Sequence, residues 1–154
     1  NGDAEFLFVG PYDANSVRVP VETLRAFGHV TLAGAKTTSE VVSLARDIDV
    51  WLICYDPQLS IDGATNSHKI LEYLASGSPV VANRIAAYEG SDLVIMVEGD
   101  NRALPGLLRS VLLNLGKHDD SSARRRRADL ALGHAYGSHI QLIDAKVGAS
   151  MGRT

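Results

Sequence analysis

Five residues between positions 66 and 72 have side chains suited to binding a phosphorylated ligand. The start of a predicted helix carries Asn66, Ser67, His68 and Lys69, and Glu72 follows one turn later. Unpaired backbone N–H groups at a helix start bind phosphate, and a lysine there is favoured when an anion neutralises it. An ionised carboxylate only accepts hydrogen bonds, so Glu72 can hold two vicinal ribose hydroxyls. The pattern predicts a site for a nucleoside diphosphate.

The elements that must position this site follow from an alternation of apolar runs and helical patterns. Apolar, mostly β-branched runs predict strands at residues 6–9, 30–33, 50–55, 79–83 and 93–97. Helices are predicted at residues 20–27, 67–76, 102–115, 121–135 and 140–147, and a capping box of Thr37 and Glu40 predicts another. Because the strands are apolar on both faces, we expect them to lie between two helical layers. The sequence thus predicts an α/β, Rossmann-like doubly wound parallel sheet of about five to six strands, with helices on both faces, in a single domain.

The longest predicted connection between a strand and a helix is the loop at residues 56–66. Its eleven residues exceed the usual two to six, and such loops are often functional. Ligands of open parallel sheets bind outside the carboxyl ends of the strands, which is where this loop lies. Asn83 and Arg84 follow the fourth strand at the same edge and can either contact the ligand or simply end the strand.

The composition indicates an ordinary globular protein of 154 residues, with 45% hydrophobic residues, 21% charged residues and a net charge of -3. This balance provides no general attraction to nucleic acid. No apolar run approaches the roughly 20 residues of a membrane-spanning helix, and the start lacks a signal-peptide pattern. We therefore expect a cytoplasmic protein, either a fragment of a longer chain or a natural subunit.

A run of four arginines at residues 124–127 is the strongest local concentration of charge. Four consecutive residues point around a whole helix, so we expect a solvated helix with acidic residues nearby. The alternative is a peripheral contact with anionic lipid at the inner face of a membrane. Cys54 is predicted to be buried in its apolar run, and Trp51 to pack against a helix. The histidines show no metal-ligand spacing, so no metal site is predicted.

The residues from His68 to Ala82 carry a resemblance to a known family. Their sequence, HKILEYLASGSPVVA, looks like the K-x-x-E-Y-L-A-x-G-x-P-V-V signature of the donor half of GT-B glycosyltransferases, of the group 1, family 4-like type. Residues 8–10, 29–34 and 49–55 resemble the first three strands of that half. The resemblance covers most of residues 5–143.

This resemblance implies roles for individual residues. Glu72 matches the glutamate that holds the donor ribose, the helix start at residues 67–69 matches the region facing the diphosphate, and Gly10 matches the glycine of the first loop. Two positions depart from the pattern. Ala64 stands where many members have a second glutamate, and the loop after Gly10 lacks the usual basic pair, so Lys36, Lys69 or Arg18 would have to replace it.

The implied function is a glycosyltransferase of polysaccharide biosynthesis, in which this chain binds a nucleotide-diphosphate sugar. A UDP-sugar is the expected donor, and no cofactor is required. The acceptor and any catalytic base would belong to a missing N-terminal domain or partner subunit. No catalytic residue is therefore assigned here, and we expect the chain alone to be inactive.

Other functions are compatible with the same alternation of strands and helices. One is a non-catalytic nucleotide-sugar-binding subunit of a split glycosyltransferase. Another is a phospho-receiver-like signalling domain, because Asp13 and Asp56 follow strands, although no adjacent acidic pair follows the first strand and no lysine ends the fifth. A dinucleotide-dependent dehydrogenase is not expected, because Gly10 and Pro11 replace the G-x-G-x-x-G turn.

Overall fold

The computed structural model describes residues 4–12, 21–55 and 67–134. The chain divides into two compact units, Asn1–Asp47 and Ile48–Thr154, and each has its own parallel sheet. The predicted α/β class with parallel strands and helices is confirmed. That these sheets form a Rossmann-like doubly wound sheet in a single domain stays a prediction.

The first unit pairs strand β1 (Phe6–Val9) in parallel with β2 (Val30–Gly34). Helix α1 (Val21–Arg25) connects them, and α2 (Thr38–Leu44) follows, continued by a 3-10 helix at Ala45–Asp47. The predicted capping box is confirmed. The Glu40 backbone N–H donates to the Thr37 hydroxyl, and the Glu40 carboxylate accepts from the Thr37 backbone N–H at 2.8 Å. These bonds satisfy N–H groups that a helix start leaves unpaired, which explains where α2 begins.

The second unit contains three parallel strands in the order β3 (Trp51–Ile53), β4 (Val80–Ala82) and β5 (Val94–Met96). Helix α3 (Ser67–Ala75) precedes β4, and a 3-10 helix at Ala86–Tyr88 precedes β5. After β5 come a 3-10 helix at Asn101–Ala103 and then α4 (Leu104–Leu113), α5 (Leu115–His118) and α6 (Ser121–Gly133). The predicted helix at residues 140–147 lies outside the described residues.

The core of the second unit is built around β4, whose three residues are fully buried. Val80 and Ala82 belong to an apolar cluster with residues of α3 and α6, whereas Val81 packs in a second cluster with Leu104 and Val111 of α4. Successive residues of a strand face opposite sides of the sheet. Helices therefore cover both faces of β4.

The expectation that every strand is buried on both faces is wrong for β1 and β3. Leu7 and Phe8 of β1 are 37% and 44% exposed, and Leu52 of β3 is 37% exposed. Burial on both faces requires a helix over each face, and β3 is an edge strand of its sheet.

The prediction for Cys54 is also wrong, because this cysteine is exposed. It follows the last paired residue of β3, where the sheet no longer covers it.

The predicted helix at residues 102–115 is interrupted. Its first turn is the 3-10 helix, capped by the Asp100 carboxylate, which accepts from the Arg102 backbone N–H at 2.9 Å. Asn114 leaves the helical conformation, and its side-chain amide donates to the Ser110 carbonyl at 2.9 Å, which ends α4. A side chain that competes for a helix carbonyl in this way favours termination.

The arginine run on α6 is not a uniformly solvated surface. Arg127 is only 3% exposed, and its guanidinium donates to the Gly77 carbonyl at 2.8 Å and to the His118 carbonyl. Burial lowers the pKa of Arg127, and the carboxylate of Asp119 opposes this shift. The expectation of a solvated run is therefore wrong for Arg127, which ties α6 to the ends of α3 and α5.

The other three arginines of the run do have acidic neighbours, as predicted. Arg124 pairs with Asp119 at 2.7 Å, Arg126 pairs with Asp92, and Arg125 lies 3.9 Å from Asp129. The lipid contact is not tested by these ion pairs and stays a prediction. Within residues 4–12, 21–55 and 67–134, no helix is long and apolar enough to cross a membrane.

Candidate functional site

The path of the chain brings the start of α3 to the carboxyl edge of the β3–β4–β5 sheet. After α3 ends, Gly77 turns the chain with a φ of +82°, in the left-handed region that glycine adopts without strain. The chain then enters β4 through Pro79. Helix α3 therefore runs antiparallel to β4, and its nine residues span about 13 Å. Its first turn lies beside the end of β4.

Most residues of the segment 68–82 have a structural role in this arrangement. Ile70 and Leu74 are fully buried beneath α3. The ring of Tyr73 stacks on Trp51, with centroids 4.1 Å apart, and the Trp51 Nε1 donates to the Ser76 hydroxyl at 2.8 Å. This contact confirms that Trp51 packs against a helix. Burial raises the pKa of the Tyr73 phenol, helped by Tyr55 and by the carboxylate of Glu72.

Three predicted site residues of α3 are not used in this packing. His68, Lys69 and Glu72 are exposed, and within the described part of the chain their side chains make no hydrogen bond or ion pair. Lys69 and Glu72 are three positions apart and therefore share one helix face. These three predicted residues therefore lie within the first six positions of α3. Ser67 opens the helix, and Asn66 lies outside the described residues.

Gly10, the remaining predicted site residue, belongs to the first unit. It follows β1 with a φ of +148°, and its N–H donates to the Gly34 carbonyl at 2.9 Å. A methyl group added at Gly10 would meet no atom within 4 Å. The constraint at this position is the backbone conformation rather than space. Asp13, Arg18, Asp56 and Ala64 lie outside the described residues.

A polar network that the sequence does not reveal holds the carboxyl edge of the sheet. Asn83, only 6% exposed, accepts a hydrogen bond from the Tyr55 backbone N–H at 2.9 Å. Asn101 donates to the Tyr55 carbonyl at 3.1 Å. Asn83 therefore ends β4 while fixing the chain that leaves β3. These bonds join residues 28 and 46 positions apart in the sequence, so no local pattern predicts them.

A cleft of about 680 Å³ opens beside β5. The charged side chains that line it are Arg84, Glu89, Asp92 and Glu98. Arg84 pairs with Glu89 at 2.6 Å and Arg126 pairs with Asp92, which leaves the acidic side chain of Glu98 in excess. Such a lining repels an anion. The cleft is therefore a poorer phosphate site than the start of α3. In the described part of the chain, no group of three or more His, Cys, Asp or Glu residues is placed to hold a metal ion.

Comparison with models of known protein families finds no match for this chain, and comparison with curated protein sequences finds none either.

Proposed function

We propose that this chain is the donor half of a glycosyltransferase and binds a nucleotide-diphosphate sugar, with a UDP-sugar as the expected donor. In this proposal the fold is a Rossmann-like doubly wound sheet. The acceptor is held by a missing N-terminal domain or by a partner subunit, so transfer requires that second half.

One observation carries the proposal. Within the segment 68–82, most of the apolar and small residues are buried or packed in the fold, whereas Lys69 and Glu72 are exposed without a partner among the described residues. A packing role accounts for the buried residues and not for Lys69 and Glu72. Lys69 and Glu72 both belong to the signature that resembles the glycosyltransferase donor site. Their exposure at the carboxyl edge supports a role in binding a ligand.

The chemistry of these side chains fits the parts of a nucleoside diphosphate. The first turn of α3 offers unpaired backbone N–H groups, and Lys69 adds a cation for the diphosphate. Glu72 lies one turn further along and only accepts hydrogen bonds when ionised, which suits two ribose hydroxyls. The resemblance implies the same two roles for these positions.

Calorimetric titration tests this proposal directly. UDP, GDP, UDP-glucose and GDP-mannose are titrated into the wild-type chain and into Glu72→Gln. A hydrogen bond to a charged group contributes about 1.5–3 kcal/mol, so the variant should bind the nucleotide roughly 10- to 100-fold more weakly. Because the Glu72 side chain is exposed, the thermal midpoint of the Glu72→Gln variant should equal that of the wild type.

The matched control is Glu22→Gln on α1. The Glu22 side chain is 78% exposed and pairs with Arg25 at 3.1 Å. This variant should bind nucleotide like the wild type. Wild-type protein that binds none of the four ligands, or equal binding by Glu72→Gln and Glu22→Gln, would refute the assignment. If the chain is instead a non-catalytic subunit of a split enzyme, the same nucleotide binding is expected. That alternative differs from the proposed function only in predicting no activity with any partner half.

A further inference from the structure

Two asparagine side chains at the carboxyl edge of the β3–β4–β5 sheet are held by one backbone residue. The Asn83 Oδ1 accepts from the Tyr55 N–H, and the Asn101 Nδ2 donates to the Tyr55 carbonyl. Covalent geometry keeps the N and O atoms of one residue within about 4 Å of each other. The two amides are therefore neighbours.

These bonds determine which end of each amide is left over. A backbone N–H can only donate, so the Asn83 oxygen faces Tyr55 and both N–H groups of its Nδ2 remain. A backbone carbonyl can only accept, so Nδ2 of Asn101 faces Tyr55 and its Oδ1 remains. Asn83 thus presents donors at this edge, and Asn101 presents an acceptor.

The Asn83 amide points to a ligand. The residue is 6% exposed, yet its Nδ2 makes no hydrogen bond with any described residue. Buried polar groups are normally paired, because an unpaired one loses its hydration without compensation. The fully enclosed unpaired side-chain atoms in the described ranges are on Asp119 and Arg127, so Nδ2 of Asn83 retains access to the surface. A ligand can reach it there.

We propose that Asn83 and Asn101 form the subsite for the sugar ring of the nucleotide-diphosphate sugar. A hydroxyl both donates and accepts. One sugar hydroxyl can therefore accept from the Asn83 Nδ2 while another donates to the Asn101 Oδ1. Phosphate oxygens would satisfy only Asn83. The inference rests on the proposed function, because that function supplies the ligand.

The order of groups along the ligand is consistent with this placement. Glu72 takes the ribose and the start of α3 takes the diphosphate in the proposed function. The sugar follows the diphosphate on the side away from the ribose, beyond the helix start. The first turn of α3 lies beside the end of β4, and Asn83 is the residue that follows β4.

The decisive variant is Asn83→Asp, which keeps an oxygen for the Tyr55 N–H but removes both N–H donors. Affinities for UDP and for UDP-glucose, UDP-galactose and UDP-N-acetylglucosamine are measured by calorimetry, with GDP and GDP-mannose instead if the wild type prefers guanine. The ratio of sugar-nucleotide affinity to nucleotide affinity should fall about three- to tenfold, as expected for one lost hydrogen bond. Repulsion between the new carboxylate and the diphosphate weakens UDP more than a UDP-sugar, because the terminal phosphate of UDP carries the larger charge, so repulsion raises the ratio and cannot produce the expected fall.

Two further variants complete the test. Asn83→Ala removes the donors without adding charge and should lower the same ratio while leaving UDP affinity unchanged. Asn114→Asp makes the same chemical change at an exposed amide that bonds only to the Ser110 carbonyl, and should leave the ratio unchanged. Circular dichroism checks that each variant is folded. If Asn83→Ala does not fold, the test is decided by Asn83→Asp.

The outcomes separate this inference from the proposed function. Nucleotide binding that depends on Glu72, with a ratio that falls in neither folded Asn83→Asp nor folded Asn83→Ala, refutes the sugar subsite and leaves the proposed function standing. Equal weakening of UDP and UDP-sugar by Asn83→Ala also refutes it, because the contact would then be with the nucleotide. Wild-type protein that binds no nucleotide refutes both.

Discussion

We expect Arg127→Ala to destabilise the second unit more than any other substitution in the arginine run at residues 124–127. Arg127 is 3% exposed and joins three parts of the fold, since it projects from α6 and donates to the carbonyls of Gly77 and His118. Alanine removes both hydrogen bonds. It also leaves the partly buried carboxylate of Asp119, 3.9 Å from the guanidinium, without this cation.

The magnitude follows from opposing contributions. Two hydrogen bonds from a charged donor contribute about 3–6 kcal/mol in total. Burial of the guanidinium opposes this, because removing a charge from water costs several kcal/mol, and alanine relieves that cost. Measured losses on removing one partner of a buried ion pair are about 3–5 kcal/mol. We therefore expect a decrease of about 3 kcal/mol in the free energy of unfolding.

The assay is urea unfolding followed by fluorescence. Trp51 is the only tryptophan in the sequence, and it stacks on Tyr73 within the second unit, so its emission reports on that unit. The matched control is Arg125→Ala on the same helix, because the Arg125 side chain is 85% exposed and its acidic neighbour is 3.9 Å away. Exposed ion pairs contribute about 0–1 kcal/mol.

A difference below about 1 kcal/mol between Arg127→Ala and Arg125→Ala would refute this reasoning, since the two changes lie on the same helix and make the same change in helix propensity. Arg127→Lys should fall between them. It keeps the charge, but an ammonium group lacks the planar fork that reaches two carbonyls.

Three further predictions test other features. Gly77→Ala should lower the free energy of unfolding by about 1–2 kcal/mol, because φ is +82° and the new Cβ would lie 3.3 Å from the Arg124 Cβ. The control Gly106→Ala, in open space on α4, should be neutral or stabilising in the same urea assay. Equal effects of the two substitutions would contradict this prediction. Cys54 is exposed and should react with a maleimide in the folded protein, so a requirement for denaturant would contradict the structure. Hydrogen bonds from the Thr37 backbone and hydroxyl lower the pKa of Glu40. The stabilisation from the Glu40 carboxylate is therefore present above the unfolded pKa of about 4.3 and is lost as the pH falls through the pKa of the folded state. The difference in thermal midpoint between wild type and Glu40→Gln should therefore shrink below about pH 4.3, and a constant difference would count against this linkage.

Much of the local structure could be predicted because local rules act over a few residues. The capping box at the start of α2 depends on two residues three positions apart. The five strands also lie within the predicted apolar runs, except that β2 extends one residue further, to Gly34. Exposure of Lys69 and Glu72 on a shared face followed from helical periodicity.

The sequence by itself therefore determined the order of the strands and helices, and the grouping of exposed side chains at the start of α3. Only the tertiary structure decided that Arg127 is buried while Cys54 is exposed, and that Asn83 and Asn101 meet at Tyr55. Hydrogen-bond partners 28, 46 and 50 residues apart are brought together by packing against β4. Periodicity and capping act within about one helical turn, so no local pattern could have predicted these contacts.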